Sequence, residues 1–112
     1  MIEVREYVDA EGGSPFGKWF AGLNAPAAAK VTTALEKLVR GNFSNVEPAG
    51  RGVSELKIDW GPGYRIYFGK DGESLVILLG GGTKKRQSSD IEIAKENWTT
   101  YKRRKRREAK QE

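Results

Sequence analysis

Five consecutive apolar residues, Leu75-Val76-Ile77-Leu78-Leu79, constrain this chain more than any other feature. A strand with one face in water alternates apolar and polar residues. This one does not, so it belongs in the centre of a sheet with both faces covered. The residues ahead of it supply strand neighbours. Val53 to Trp60 and Tyr64 to Gly69 read as strands joined by Gly61-Pro62-Gly63, and Asp71-Gly72 is a tight hairpin signal leading into the apolar strand, read as Glu73 to Gly80. Ile2 to Val8 adds a strand near the N-terminus.

Helical spacing accounts for most of the rest. Ser14-Pro15 starts one helix, with serine as N-cap and proline at the first helical position, and Phe16, Trp19, Phe20 and Leu23 form its apolar stripe. Asn24-Ala25-Pro26 ends that helix and starts another, striped by Val31, Ala34, Leu35, Leu38 and Val39 and stopped at Gly41. So short a connection predicts an antiparallel helical hairpin. Asn42 to Gly52 reads as irregular. A last helix is predicted from Ser89, with Ser89 and Glu92 as a capping box and Ile91, Ala94, Trp98 and Tyr101 on one face. Trp19, Phe20 and Trp98 read as core. The predicted order is β-α-α-β-β-β-α. That is an α+β fold: a small, mostly antiparallel sheet, a helical hairpin on one face and a C-terminal helix elsewhere. Residues 1–101 form the expected single domain. Residues 102–112 are a basic tail of low-complexity, disordered character.

Composition then narrows the chemistry. The chain has neither cysteine nor histidine. Disulfides, thiolate chemistry, the usual zinc sites, the Ser-His-Asp triad and the commonest acid–base residue are therefore excluded. No cofactor or metal is expected. No apolar run approaches membrane-spanning length, and Met1 to Glu6 lacks the apolar core of a signal peptide, so the cytoplasm is the default. The last eleven residues hold seven of the 20 basic and two of the 15 acidic residues. They carry the whole net charge of +5, and the body is neutral.

Within that neutral body the cations are ordered by strand alternation. Tyr64, Ile66 and Phe68 point one way and Arg65 and Tyr67 the other; Leu56 and Ile58 point in, and Glu55 and Lys57 out. Lys57, Arg65 and the Lys84-Lys85-Arg86 cluster are thus expected on one open sheet face, an arrangement suited to phosphates. Arg65→Ala should then leave the fold intact. The plainer alternative is a solvated sheet face. Glu55 is either a charge partner or an active-site carboxylate, and Tyr67 either a stacking platform for a base or a cross-strand packing residue. Gly80-Gly81-Gly82 with Lys84 lacks phosphate-loop spacing, which rejects nucleotide hydrolysis; the run reads as a bulge or turn ending the strand. Six consecutive cations, Lys102 to Arg107, exceed what a helix end needs. They point to contact with RNA or an acidic partner, led by Lys102, Arg103 and Arg104.

Several motifs together resemble a known family. They are Trp19-x-x-x-Leu23, Gly41-Asn42, Gly50-Arg51-Gly52-Val53-x-Glu55-Leu56, Gly61-Pro62-Gly63-Tyr64-Arg65-Ile66-Tyr67, Gly81-Gly82-x-Lys84-x-x-Gln87 and Asp90-Ile91-x-x-Ala94. Their order and spacing, over roughly Phe16 to Trp98, resemble the RelE/HigB-like toxins, in the branch labelled addiction module killer proteins. The resemblance implies a RelE/ParE-like fold and a toxin of a type II toxin–antitoxin system, neutralised by a HigA-like helix-turn-helix antitoxin. It further implies a metal-independent endoribonuclease, an mRNA interferase, acting on translated mRNA at the ribosome. By position it carries over Arg65 and the cations Lys84, Lys85 and Arg86, while Lys57 stands where many of the branch have arginine. Gln87 belongs to the same motif and joins Lys85 and Tyr67 as an RNA-contact candidate. Where some relatives use a C-terminal tyrosine or histidine, Tyr101 is the nearest counterpart. In the expected reaction the RNA 2′-OH attacks the adjacent phosphorus. Arg65, helped by Arg86, stabilises the charge that develops. Lys84, Lys85, Lys57 or Glu55 serves as base or acid. Two other readings stay open: a ParE-like toxin that inhibits a protein such as gyrase, and a non-catalytic RNA-binding module.

Overall fold

The computed structural model describes residues 1–111. The strands are β1 (Glu3–Glu6), β2 (Val46–Gly50), β3 (Val53–Ile58), β4 (Tyr64–Lys70) and β5 (Leu75–Thr83); the helices are α1 (Pro15–Ala21), α2 (Ala25–Val39) and α3 (Gln87–Gln111). They form one sheet in the order β1-β5-β4-β3-β2, antiparallel except for β1, which runs parallel to β5. The α+β class and the helical hairpin stand as expected.

The added strand is β2, inside the stretch expected to be irregular. It is an edge strand that contains Pro48, bulges between Pro48 and Gly50, and has no apolar alternation. Such devices blunt an edge against further pairing, and they also erase the sequence signal of a strand.

β5 lies between β1 and β4 and is buried on both sides. Val76 and Leu78 join Phe16, Val31, Leu38 and Ile66 in the core beneath α1 and α2. Ile77 and Leu79 join Val53, Tyr67, Ala94 and Trp98 in a second core beneath α3. The hairpin helices start where the sequence says they should. Ser14 Oγ accepts from the Gly17 N–H at 2.9 Å, and Asn24 Oδ1 from the Ala27 N–H at 3.0 Å. Each cap satisfies an N–H that the helix itself cannot.

The glycine run does not end β5 but continues it. A bulge between Tyr67 and Phe68 of β4 leaves Leu79 as the extra residue, and pairing resumes through Gly80, Gly81 and Gly82. The reason for glycine is close approach. A Cβ on Gly81 would stand 2.2 Å from the Trp19 ring of α1, and on the other face a Cβ on Gly69 would stand 2.5 Å from the Trp98 ring of α3. Each helix layer therefore docks through a tryptophan laid on a glycine.

α3 begins at Gln87 rather than Ser89, after a 3-10 turn at Lys84–Arg86. Ser89 is no cap; its hydroxyl donates to the Arg86 carbonyl at 3.2 Å. At the other end, the segment expected to be disordered is helical to Gln111, while the final residue of the expected tail, Glu112, lies outside the described residues. Contacts with the body explain the order. Arg104 Nη1 donates to the Val8 carbonyl at 2.6 Å and its guanidinium lies 5.2 Å from the Tyr7 ring centre. Lys105 pairs with Asp71, and the Tyr101 hydroxyl donates to the same carboxylate at 2.5 Å. Burial and then the bond to Asp71 push the Tyr101 phenol up to about 12. Cations in the last turns also suit the helix dipole. Among the described residues, no helix is long and apolar enough to cross a membrane.

The tryptophan-on-glycine contacts can be tested directly. Gly81→Ala should lower stability by about 2–3 kcal/mol through overpacking against Trp19. In urea denaturation this appears as a lower midpoint with an unchanged slope. A midpoint within error of the wild type would mean that Trp19 moves aside freely.

Candidate functional site

The alternation of β3 and β4 is as expected: Glu55 pairs with Tyr67 and Lys57 with Arg65 in register, so all four share a face. The expectation that this face is open is wrong. α3 roofs most of it, because Ile77 and Leu79 also face this way and need cover. Tyr67 is fully buried, Glu55 is 4% exposed and Arg65 8%. Tyr67 therefore cannot stack on a base. Burial, and after it the carboxylates of Glu55 and Asp90, raise its phenol well above the ordinary value, so it stays neutral. Gln87 is also drawn inward. Its Nε2 donates to both Glu55 oxygens, at 2.9 and 3.0 Å, and ties the first turn of α3 to β3.

Arg65 sits between this interior and the surface. Its Nε lies 3.6 Å from Glu55 Oε1, a Coulombic contact too long for a hydrogen bond, and its Nη1 donates to the Tyr64 carbonyl at 3.3 Å. The outer end of the guanidinium reaches Gly63. There the backbone has φ +77°, and an added Cβ would stand 3.3 Å from Lys84 Cβ and 3.6 Å from Arg65 Nη1. The Lys84 N–H donates to the Gly63 carbonyl at 2.7 Å, which pins the Lys84–Arg86 turn against the Gly61-Pro62-Gly63 turn. Lys84, Lys85 and Arg86 are exposed and, among the described residues, make no ion pair.

The fold thus brings Arg65 and Lys84 together, with Lys85 and Arg86 on the same turn. Lys57 stands on the neighbouring strand but is held by Glu47 at 2.7 Å. Tyr101 is 14 residues beyond Gln87, roughly 21 Å along the helix, and is bound to Asp71, so it is no part of this cluster. Lys102 and Arg104 are also far up α3 and lie over Trp98 and Tyr7. Of the three tail residues expected to meet RNA, Lys102 and Arg103 stay exposed and Arg104 is half-buried; Arg103 lines a groove with Arg51, Lys95, Glu92 and Glu96.

One member of the cluster was missed by sequence reasoning. Asp90, in the first turn of α3, lays its carboxylate on the backbone of Gly82, where a Cβ would stand 1.9 Å from Oδ2. Among the described residues, that buried oxygen has no hydrogen-bond partner, nor have Arg65 Nε and Tyr67 Oη. Burial raises the Asp90 carboxyl above its ordinary value, and Arg86 opposes the shift. The sequence signal was a glycine facing an acid eight residues later, which no local pattern pairs. Among the described residues, no three acidic side chains converge as a metal ligand set.

Comparison with known proteins adds two findings. The family described as phage-derived protein Gp49-like matches residues 18–106. A relative from Haemophilus influenzae (strain ATCC 51907 / DSM 11121 / KW20 / Rd), described as an uncharacterized protein, is 42% identical over 81 residues, covering 71% of this chain and 82% of its own.

Burial changes what Arg65→Ala should do. It strands the Glu55 carboxylate in the interior and should cost about 3–5 kcal/mol, whereas Arg65→Ala with Glu55→Leu should recover much of that loss. Denaturation of the two variants checks this; equal losses would mean that the pair is not coupled. Asp90 gives a pH test. Its folded pKa is raised, so its contribution to stability is complete below the ordinary carboxylate value of about 3.9 and is lost as pH rises through the higher folded value. Asp90→Asn should therefore be nearly silent in acid and should raise Tm relative to the wild type as pH rises towards 8. A Tm difference that is flat across that range would show the carboxylate to be freely solvated.

Proposed function

The chain belongs to the phage-derived Gp49-like protein family, and from that premise we propose that it is the toxin of a type II toxin–antitoxin pair, of RelE/HigB-like type, acting as an mRNA endoribonuclease. The observation that carries the reading is the meeting of Arg65 with the exposed Lys84-Lys85-Arg86 turn across Gly63. Cleavage of RNA by its own 2′-OH forms a bond from that oxygen to phosphorus and breaks the bond to the 5′-oxygen. The phosphoryl oxygens gain negative charge on the way, and cations already in place stabilise it without reorganising.

Burial divides the roles. Lys84 and Arg86 are exposed and reach the phosphate directly, with Lys85 beside them. Arg65 stands behind them, held by Glu55, and contributes its charge from the rim. Glu55 is engaged by Gln87 on both oxygens and faces Arg65, so the acid–base role falls to Lys84 rather than to Glu55. Lys57, neutralised by Glu47, adds to binding. Positioning of mRNA by the ribosome offsets the lack of histidine, since orientation alone lowers a barrier by several powers of ten. The antitoxin, of HigA-like helix-turn-helix type, would meet the Lys84–Arg86 turn with acidic residues. The outward tail cations, Arg103 among them, would draw RNA in.

The burial of Tyr67 and Gln87 removes two RNA contacts, and that favours a second reading: a ParE-like inhibitor of a protein target such as gyrase. Primer extension on mRNA after brief induction separates the two. New 5′ ends within translated messages are expected, and Lys84→Ala and Arg86→Ala should each cut their yield about a hundredfold. Both residues are exposed, so the variants should keep their stability within about 0.5 kcal/mol. Intact messages together with blocked supercoiling would sink the nuclease reading.

A further inference from the structure

A cleft of about 320 Å³ opens beside the Gly61-Pro62-Gly63 turn, between α2 and the end of β3. It exists because β2 stops short. The first β2–β3 pair is Val46 with Leu56, so β3 beyond Leu56 has no strand at its outer edge, and only the Lys57 N–H is met, by the Asn45 carbonyl at 3.0 Å. Lys30 and Lys37 of α2, Asn42 and Asn45 of the loop, and Lys57 and Trp60 of β3 and its turn line the space. Lys57 is already paired with Glu47 at 2.7 Å, so Lys30 and Lys37 stand against the single carboxylate of Asp59 and leave the lining with a net positive charge that favours anions. The Trp60 ring is stacked on Tyr64, at 6.1 Å between centres and 25° between planes, and the Lys30 ammonium stands 5.7 Å from its centre.

We propose that this cleft takes one nucleotide of single-stranded RNA, its base stacked on Trp60 in place of the Lys30 ammonium and its phosphates held by Lys30 and Lys37. The inference rests on the ribonuclease reading, for which the cleft holds a nucleotide flanking the scissile one. Four observations carry it. An aromatic platform among lysines is the chemistry by which single strands are bound. The Asn42 oxygen is taken by the Ser44 N–H and hydroxyl, at 3.0 and 2.8 Å, so Asn42 offers a base edge its NH2 donors and Asn45 offers both an amide donor and an acceptor, which an acidic peptide would not require. The volume lies at the small end of ligand sites, about 300–1,000 Å³, and suits one nucleotide rather than a helix. Finally, the cleft is continuous with the cationic turn. Gly63 donates to the Trp60 carbonyl at 3.1 Å and accepts from Lys84 at 2.7 Å, so a single three-residue turn separates Trp60 from Lys84.

The test uses full-length protein and a 2′-O-methylated RNA tetranucleotide, which binds without being cut. Anisotropy is followed across a salt series for the wild type, Lys30→Ala/Lys37→Ala and Trp60→Leu, with thermal melting as the fold control. The double lysine variant alters two exposed side chains, so it keeps the assay interpretable if Trp60→Leu unfolds. It should bind at least tenfold more weakly, with a log–log salt slope shallower by about 1.4 for two lost phosphate contacts. Trp60→Leu should cost about tenfold through lost stacking. Unchanged affinity and slope in folded Lys30→Ala/Lys37→Ala would overturn the proposal. So would weakened antitoxin binding with RNA binding intact, because the occupant is then a protein. The two readings fail separately. Lysine-dependent binding by a protein that cuts no message removes the nuclease and leaves the cleft. Cutting by a protein whose RNA binding ignores Lys30 and Lys37 removes the cleft and leaves the nuclease.

Discussion

Val76 and Leu78 leave β5 on one side and Ile77 and Leu79 on the other, and none of the four tolerates water. Burying apolar surface stabilises by roughly 25 cal/mol per Å², so each side needs a helical layer. The α1–α2 hairpin supplies the first. For the second side α3 is the one remaining helix, and it must cross β3, β4 and β5 to serve. Both layers are seated the same way, with an indole against a glycine that leaves no room for a Cβ: Trp19 on Gly81 and Trp98 on Gly69. Most of what happens at the candidate site follows from where this second layer has to lie.

When α3 crosses the sheet, its first turn lands on polar side chains that strand alternation has placed there. Glu55 and Arg65 are taken out of water, and a buried charge persists only with partners. Gln87 and Arg65 supply them for Glu55. Such a pair is a weaker source of stability than apolar packing of the same volume. Its consequence is geometric: it holds the Arg65 guanidinium at the rim, against Gly63 and beside Lys84. The cationic turn that follows is set by the same construction. β5 runs on through its glycines to Thr83, and Lys84 is bonded to Gly63 before α3 begins. The exposed cations are therefore presented by a turn fixed at both ends.

The basic C-terminal segment follows the same logic on a larger scale. A run of like charge by itself repels and extends, which is the basis for reading it as disordered. Here several of the repelling groups find partners on the body. Arg104 meets Val8 and Tyr7, and Lys105 meets Asp71 in the β4–β5 turn. Hydrogen bonds from Lys105 and then Tyr101 hold the Asp71 carboxyl below the ordinary range, so this clasp persists until pH falls through that lowered value.

Much of the architecture was legible because it is written in neighbours along the chain. Turn glycines, helix caps at Ser14 and Asn24, the apolar run of β5 and the parity of β3 and β4 are short-range signals. They determined the α+β class, the helical hairpin, and which side chains share a face. The edge strand β2 stayed hidden because a blunted, proline-bearing edge lacks alternation. The start of α3 was misplaced because Gln87 is selected by Glu55, 32 residues away. Sequence by itself thus placed Glu55, Lys57, Arg65 and Tyr67 together, since a strand's two-residue repeat is a property of its own backbone. Only the tertiary structure decided that Tyr67, Glu55 and Arg65 are roofed, that Asp90 joins them on Gly82, and that Lys84 to Arg86 remain outside. Which face a helix covers depends on apolar groups brought together from the whole chain, and no local pattern carries that information.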